Sequence, residues 1–499
     1  MMDQKYILAI DQGTSSTKST IFDEKGNAIA RGQVDLATQF LDGGMVEQDP
    51  LGIFENVLAS VSLCLEAFRR TGKDTGSILS IGISNQRETF VVWDANGDPL
   101  HNAVVWQCKR SIDICNQLIN GGFKKTVKER TGLIIDPYFS ASKLIWLYQN
   151  KDKVRAAIDT GNAYFGTIDT WLLFKLTGGK RYLTDHTNAS RTMLFNLSTL
   201  NWDTYLLATF GLDKINLPEV IASSSDFGAS DFGGSFDREI PIGAMIGDSH
   251  AAAFGEGCFE QGQAKATLGT GCSIMMNAGT DLPSGSEGVV TTICWSTSTR
   301  VDYGLEGVIV SCGSTMEWLR RELTLFSDIK QTQDMANSVL DNNGVYIIPA
   351  FSGMGAPYWQ MDRKGELLGL TFNTSKNHIV RAGLESIAYQ IRSVIDAMEN
   401  AAQLDLRMLI VNGGIISNNF VLGFLTDLLN KPLYYGISDA SGLGAAMLAG
   451  LQAGLFESLE EIKALAKPKS TVMPTINPTS VQVNYHTWLA HVNRTYTDK

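Results

Sequence analysis

Residues 6–10 form a short apolar run that reads as a buried strand, and the next six, Asp11-Gln12-Gly13-Thr14-Ser15-Ser16, are turn-formers. Apolar character returns at Ser19-Thr20-Ile21-Phe22, and Glu24-Lys25-Gly26-Asn27 makes a further turn. The chain therefore opens on a β-hairpin tipped with glycine, threonine and serine. The same pattern recurs in the second half. Residues 264–268 lead into Gly269-Thr270-Gly271, and residues 272–277 read as the returning strand. Two such tips, half a chain apart, predict a duplicated architecture in which each half supplies one phosphate-facing turn. Between them, residues 50–70 carry Ile53, Val57, Val61, Leu65 and Phe68 at helical spacing. Further on, Val380, Leu384, Ile387, Ile391, Ile395 and Met398 mark a long, partly buried helix. Strand-like runs at 80–83, 344–349 and 408–411 alternate with these helices, which makes the class α/β. The glycine-rich stretch 223–242 has no strong period and reads as the end of a first domain. The boundary is expected near residues 251–255, dividing the chain into 1–252 and 253–499.

Length supports that division, because 499 residues exceed what one core usually organises. Hydrophobic residues at 44% and charged residues at 19% are ordinary for a globular chain. A formal net charge of -11 argues against nucleic acid as a partner, since phosphate contacts need a basic surface. It leaves ATP open, because backbone amides and one Mg²⁺ hold a triphosphate on an acidic protein. Seven cysteines include no C-x-x-C pair, so free thiols in a reducing compartment are expected. The start Met1-Met2-Asp3-Gln4-Lys5 lacks signal-peptide architecture, and no uninterrupted apolar run reaches spanning length. A cytoplasmic protein without membrane insertion is the expectation.

Phosphoryl transfer needs a gripped terminal phosphate, neutralised charge and an acceptor hydroxyl aimed in line beside a base. For the grip, Gly13 and Gly271 admit close amide approach, and Thr14, Ser15, Ser16 and Thr270 add hydroxyls. Lys18 adds a charge nearby. A single such hairpin would equally be an exposed polar tip; the second one favours the phosphate reading. For a metal, Asp11 lies at the mouth of the first hairpin and Asp248 at a strand end opening a helix. Asp248 is also the candidate general base, with a plain N-cap role as the alternative. His250, which follows in the helix start, is expected to point away from the partners of Asp248 and is read as structural. Asn412-Gly413-Gly414 followed by Asn418 suits an adenine ring against backbone, or a turn with an N-cap. Arg87 and Glu88 after a strand offer donors and acceptors to vicinal hydroxyls, and Trp106 and Tyr138 offer apolar walls or core packing.

These residues, with the segments 84–89, 105–108, 131–140, 187–196, 344–359 and 378–390, resemble the FGGY carbohydrate kinases and, within them, the glycerol kinases. Residues 138–150 fit one family signature; 365–385 fit the other, apart from Gly383. The resemblance implies an actin-like ATPase (ribonuclease H-like) fold, two duplicated domains around a central cleft. It implies ATP-dependent phosphorylation of a small polyol, glycerol first, with Mg²⁺. By analogy Arg87, Glu88, Tyr138 and Asp248 bond the polyol, Trp106 packs on its carbons, and Asp248 is the base. Thr14, Ser15, Ser16, Lys18, Thr270, Gly313, Glu317, Gly414 and Asn418 line the nucleotide site. A homodimer or homotetramer is implied as well. The chain departs from the family at Ser249 and Ser273, where a glutamine and a phenylalanine are usual, and at Glu317 and Asn412. The two serines would enlarge and hydrate the acceptor pocket, so a kinase for a tetritol, pentitol or ketose is the alternative. A third reading, a nucleotide-switched binding protein without transfer, fits poorly with both Asp11 and Asp248 being present.

Overall fold

In the computed structural model, which describes residues 4–285, 288–475 and 479–494, the first apolar run becomes the strand Tyr6–Gln12. Residues 1–3 and 495–499, the outermost parts of the two expected domains, lie outside the described residues. Tyr6–Gln12 pairs antiparallel with Ser16–Asp23, which pairs antiparallel with Ala28–Asp35. On its other edge it runs parallel to Ile78–Asn85, itself parallel to Ile240–Gly247. The second sheet repeats the plan. Gln263–Leu268 is antiparallel to Cys272–Gly279, which is antiparallel to Arg300–Ile309. Its other edge is parallel to Met408–Asn412, followed by Leu433–Tyr435. Each half thus has three antiparallel strands and then two parallel ones, the duplicated α/β architecture. The tips correspond as well. Each connection is three residues long, closed by Gly13 N–H donating to the Ser16 carbonyl at 3.0 Å and Gly269 N–H to the Gly271 carbonyl at 2.9 Å.

The helix Pro50–Arg70 begins where Asp49 caps the Leu51 amide and proline occupies the first turn. By length and composition it is apolar enough to cross a bilayer, but its stripe Ile53, Val57, Val61, Leu65 and Phe68 packs against Ile21 and Ala30 of the first sheet. The helix Lys376–Ala402 extends the predicted stripe at both ends, opened by reciprocal Ser375 and His378 capping bonds. The predicted strand at 344–349 narrows to Tyr346–Ile348. All seven cysteines are unpaired and buried.

The stretch 223–242 supplies the short edge strand Ala229–Ser230 of the first sheet, antiparallel to the start of Ile240–Gly247. Ile240–Gly247 is an inner strand of that sheet and runs directly into the helix Asp248–Gly255. The absence of a period in 223–242 reflects an irregular approach to a buried strand. From the far end of the chain, Ala440–Gln452 returns to cross Asp248–Gly255 at backbone contact. A Cβ on Gly444 would lie 1.9 Å from the Ala251 carbonyl oxygen, and one on Gly255 2.1 Å from that of Ala440. Leu443 and Leu448 there share a core with Ile7, Ala9 and Ile246 of the first sheet. A smaller five-stranded sheet, which includes Met45–Gln48, Phe90–Trp93 and Tyr164–Thr167, is inserted in the first half. Its core carries Trp106 and Tyr138 at the edge.

Candidate active site

The first tip is held rigidly by its neighbours. The Thr14 hydroxyl accepts from Trp106 Nε1 at 2.9 Å and donates to Gln86 Oε1 at 3.3 Å, while Gln48 Nε2 donates to the Thr14 carbonyl at 2.7 Å. Ser15 is exposed and Ser16 half-buried at the tip. Lys18 sits across the ladder from Asp11 rather than on the tip, so it places its charge beside that carboxylate. Asp11 accepts from Ser84 Oγ at 2.8 Å. Burial, then the charge of Asp248 and that of Asp439, push its carboxyl up to about 6. Two carboxylates near a glycine-tipped hairpin fit the donor set that Mg²⁺ favours, one or two acids completed by water and phosphate oxygens.

Asp248 opens the helix Asp248–Gly255, and the N-cap is Gly247 rather than Asp248. Its Oδ1 accepts from the Ser249 amide at 2.6 Å and from Arg87 Nε at 3.2 Å. Its Oδ2 makes no hydrogen bond among the described residues, and the side chain is 38% exposed against 7% for Arg87. Gly247 makes this approach possible, because a Cβ there would lie 2.7 Å from Arg87 Cγ. Arg87 follows the strand Ile78–Asn85, and the chain turns through Glu88 at φ 58, a left-handed position that costs a non-glycine residue about 1 kcal/mol or more.

Behind Asp248 lies an alternating charge network. Arg87 Nη1 donates to Glu306 Oε1 at 2.8 Å, Arg191 Nη2 pairs with Glu306 Oε2 at 2.6 Å, and Arg191 Nε donates to Glu88 Oε1 at 2.6 Å. Burial alone would raise the Glu306 carboxyl, but Arg191 and Arg87 hold it well below the usual range. Burial raises Glu88, and Arg191 and Arg87 oppose that shift. Glu88 is 1% exposed, so in this structure it faces Arg191 rather than the cleft. The Trp106 and Tyr138 rings meet edge-to-face at 5.5 Å. Lys143 Nζ fixes that wall by donating to the Pro137 and Tyr138 carbonyls at 2.8 and 2.7 Å, and burial brings its ammonium down to about 8. Ser249 and Ser273 face each other at 3.4 Å, and the buried Lys265 donates to Ser249 Oγ at 2.7 Å. Because Ser273 is two residues past Gly271, this contact brings the second tip beside Asp248.

The second tip opens onto a cavity of about 880 Å³ whose lining includes Thr270, Gly313, Glu317, Gly414 and Asn418. Thr270 is exposed at the rim. The helix Gly313–Arg321 starts there and is tied to the tip by its first amides, Gly313 N–H donating to the Gly269 carbonyl at 3.0 Å and Ser314 N–H to the Thr270 carbonyl at 3.1 Å. Gly313 is pressed so close that a Cβ would lie 2.7 Å from the Gly269 carbonyl oxygen, whereas one on Gly414 would meet nothing within 4 Å. A flat ring can therefore lie over Gly414. Asn418 caps the helix Asn419–Leu429 and donates Nδ2 to Thr332 Oγ1 at 3.1 Å, so the N-cap reading holds for a residue that also lines the cavity. Glu317 is neutralised by Arg320 and Arg321. Asn412 donates to Glu256.

His250 is a correction. It is fully buried, and its imidazole lies beside Arg87 and Arg191 instead of away from them. Burial and those two cations hold it well below its ordinary value, so it is neutral. The expectation failed because a helix start fixes the order of residues but not which side the neighbouring strands occupy. Sequence reasoning missed Glu306, Arg191, Lys143, Lys265 and Asp439. Arg191 and Lys143 lay inside segments that carried the resemblance, whereas Glu306 shares its strand with a second buried acid, Asp302, so nothing local singled it out.

Residues 6–255 match the N-terminal domain of the FGGY family of carbohydrate kinases, and residues 264–453 match its C-terminal domain. The chain is 44% identical over 497 residues to a glycerol kinase of Pseudomonas fluorescens, covering 99% of this chain and 97% of that one. It is 43% identical over 494 residues to a glycerol kinase of Fusobacterium nucleatum, covering 98% and 99%. Among solved structures, Plasmodium falciparum glycerol kinase with ADP superposes with a TM-score of 0.93 at 33% identity, covering 99% of both chains.

Proposed function

Because this chain belongs to the FGGY family of carbohydrate kinases, we propose that it is an ATP-dependent kinase that transfers the terminal phosphoryl group of ATP to glycerol, giving sn-glycerol 3-phosphate. The observation that carries the reading is the position of Asp248. Its Oδ1 is fixed by Arg87 and the Ser249 amide, and its Oδ2 makes no hydrogen bond among the described residues on a side chain that is 38% exposed.

In this reading the Arg87 and Tyr138 side of the site orients the polyol, and Trp106 packs on its carbons. Asp248 accepts the proton of the primary hydroxyl as its oxygen bonds to the γ-phosphorus, and the bond from that phosphorus to the bridging oxygen breaks to release ADP. The amides around Gly13 and Gly271 stabilise charge on the phosphate oxygens in transit. The nucleotide lies in the cavity over Gly414, between the helix starts at Gly313 and Asn419. Mg²⁺, held by Asp11 and Asp248, would neutralise charge on the triphosphate. Two lobes, 1–252 and 253–499, enclose the reaction, and assembly into a homodimer or homotetramer belongs to the same reading. The buried, unpaired thiols support a reducing, cytoplasmic setting.

A coupled ADP-release assay with glycerol tests the activity. Asp248→Ala is expected to lower turnover by orders of magnitude while ATP binding stays close to that of the parent protein. Near-normal turnover in that variant would remove Asp248 as the base. Sedimentation measures the assembly.

A further inference from the structure

Beside the acceptor network is a second, smaller cavity of about 160 Å³. Its walls are largely apolar, formed by residues such as Phe139, Val308 and Trp359, and its charged lining is Arg191, Glu306 and Asp136. Tyr138 lines it too, so the cavity shares Tyr138 and Glu306 with the surroundings of the acceptor hydroxyl. Arg191 is 1% exposed and clamped through Nε and Nη2, with its guanidinium 5.1 Å from the Phe139 ring. Its Nη1 has no hydrogen-bond partner among the described residues. A buried guanidinium N–H without an acceptor is costly, and here nothing in the fold supplies one. Between this charged lining and Asp248 lie the half-buried hydroxyls of Ser249 and Ser273. They are 3.4 Å apart, and Ser273 is 3.4 Å from Glu306 Oε1, contacts long enough to yield to a better partner.

Resting on the kinase reading above, we propose that the acceptor site extends into this cavity and accepts neutral polyols of four or five carbons as well as glycerol. The reacting hydroxyl stays at Asp248. The added carbons lie against Val308 and Trp359, a hydroxyl oxygen on them accepts from Arg191 Nη1, and Ser273 bonds a neighbouring hydroxyl. The size fits, because the cavity has room for several groups the size of a water molecule, about 30 Å³ each, but not for a long chain. The charge fits a neutral ligand: Arg87 and Arg191 are already matched by Glu88 and Glu306, with Asp248 in surplus, so a carboxylate at the far end would meet no free cation. Fixed donors of this kind discriminate more strongly than spare volume.

The test is ADP release with glycerol, the tetritols, the pentitols and the hexitols, on the parent protein and on Val308→Phe, which fills the cavity. The expected result is measurable turnover of at least one tetritol or pentitol, with kcat/KM for it relative to glycerol falling tenfold or more in Val308→Phe. Turnover of glycerol with none of any longer polyol would overturn the extension and leave the kinase reading standing. So would a ratio unmoved by Val308→Phe. Turnover of a tetritol but not of glycerol would reverse that outcome, sparing the extension. If Val308→Phe does not fold, the thermal shift of the parent protein decides: a tetritol should raise Tm at least as much as glycerol at equal concentration, and no shift counts against the cavity.

Discussion

Glu306 is completely buried and gives each carboxylate oxygen to a different arginine. Breaking such a pairing leaves buried charge without its partner, which costs about 3–5 kcal/mol, whereas the pair itself contributes little net stability. Glu306→Gln keeps the shape and removes the charge. It should lower the unfolding free energy by roughly that amount in urea, and it should raise KM for the polyol more than KM for ATP, because Arg87 loses the contact that aims it at Asp248. Equal effects on both KM values would show that Glu306 supports the fold without orienting the acceptor side. The sign with pH follows from its depressed carboxyl. Its contribution is complete above the unfolded carboxylate range and fades as acid approaches the folded value, so the variant should lose part of the acid-induced decline of the parent protein.

At the scale of elements, six consecutive residues bind the site together. From the turn His186–Ala189 onward, Thr187 Oγ1 accepts the Gly247 amide at 2.9 Å and donates to the buried Asp185, and Asn188 exchanges amide bonds with Asn85. Ser190 meets Thr292 at 2.8 Å, His186 meets Ser296 at 3.0 Å, and Arg191 reaches Glu306. Gly247, just before Asp248, and Asn85, two residues before Arg87, therefore hang from one short turn. Thr187→Val should cut kcat at least tenfold with KM for ATP unchanged, and Thr187→Ser should restore it; a loss that tracks Tm in both variants would mark a purely structural role. The opposite end of the helix Asp248–Gly255 offers a pH test. Burial pushes Glu256, its C-cap, up to about 7, with Lys265 and Asn412 opposing. A raised acid binds its proton in the folded state first, so stability should fall by about 3 kcal/mol as pH rises from near 4.5 to 7. Glu256→Gln should flatten that part of the curve, as measured by denaturation at fixed pH values. Little of this was legible from sequence. The hairpins, the helix Pro50–Arg70 and the glycine positions follow from local period and turn chemistry, which a single strand or helix expresses on its own. Glu306, Arg191 and Thr187 act through partners sixty or more residues away, and no local pattern distinguishes them from buried polar residues that merely satisfy the backbone.

For the whole molecule, the same contacts decide how the halves behave together. Arg87 and Arg191 from the first half both close on Glu306 of the second, and the helix Ala440–Gln452 packs its backbone into that of Asp248–Gly255. The two halves therefore share buried charge as well as a core, which an unfolding event in one half alone would leave unpaired and exposed. In the proposed function the acceptor sits at that junction, so its binding energy would be distributed over both. A polyol present at a hundred times its Kd should stabilise the folded state by about 2.7 kcal/mol, and calorimetry should record one endotherm displaced as a unit. ATP, proposed to occupy the cavity lined by Gly414 and Gly313 in the second half, should move the same single transition. Two endotherms, with the polyol displacing only the earlier and ATP only the later, would mean that the lobes fold independently and that the Glu306 bridge forms only after both have folded.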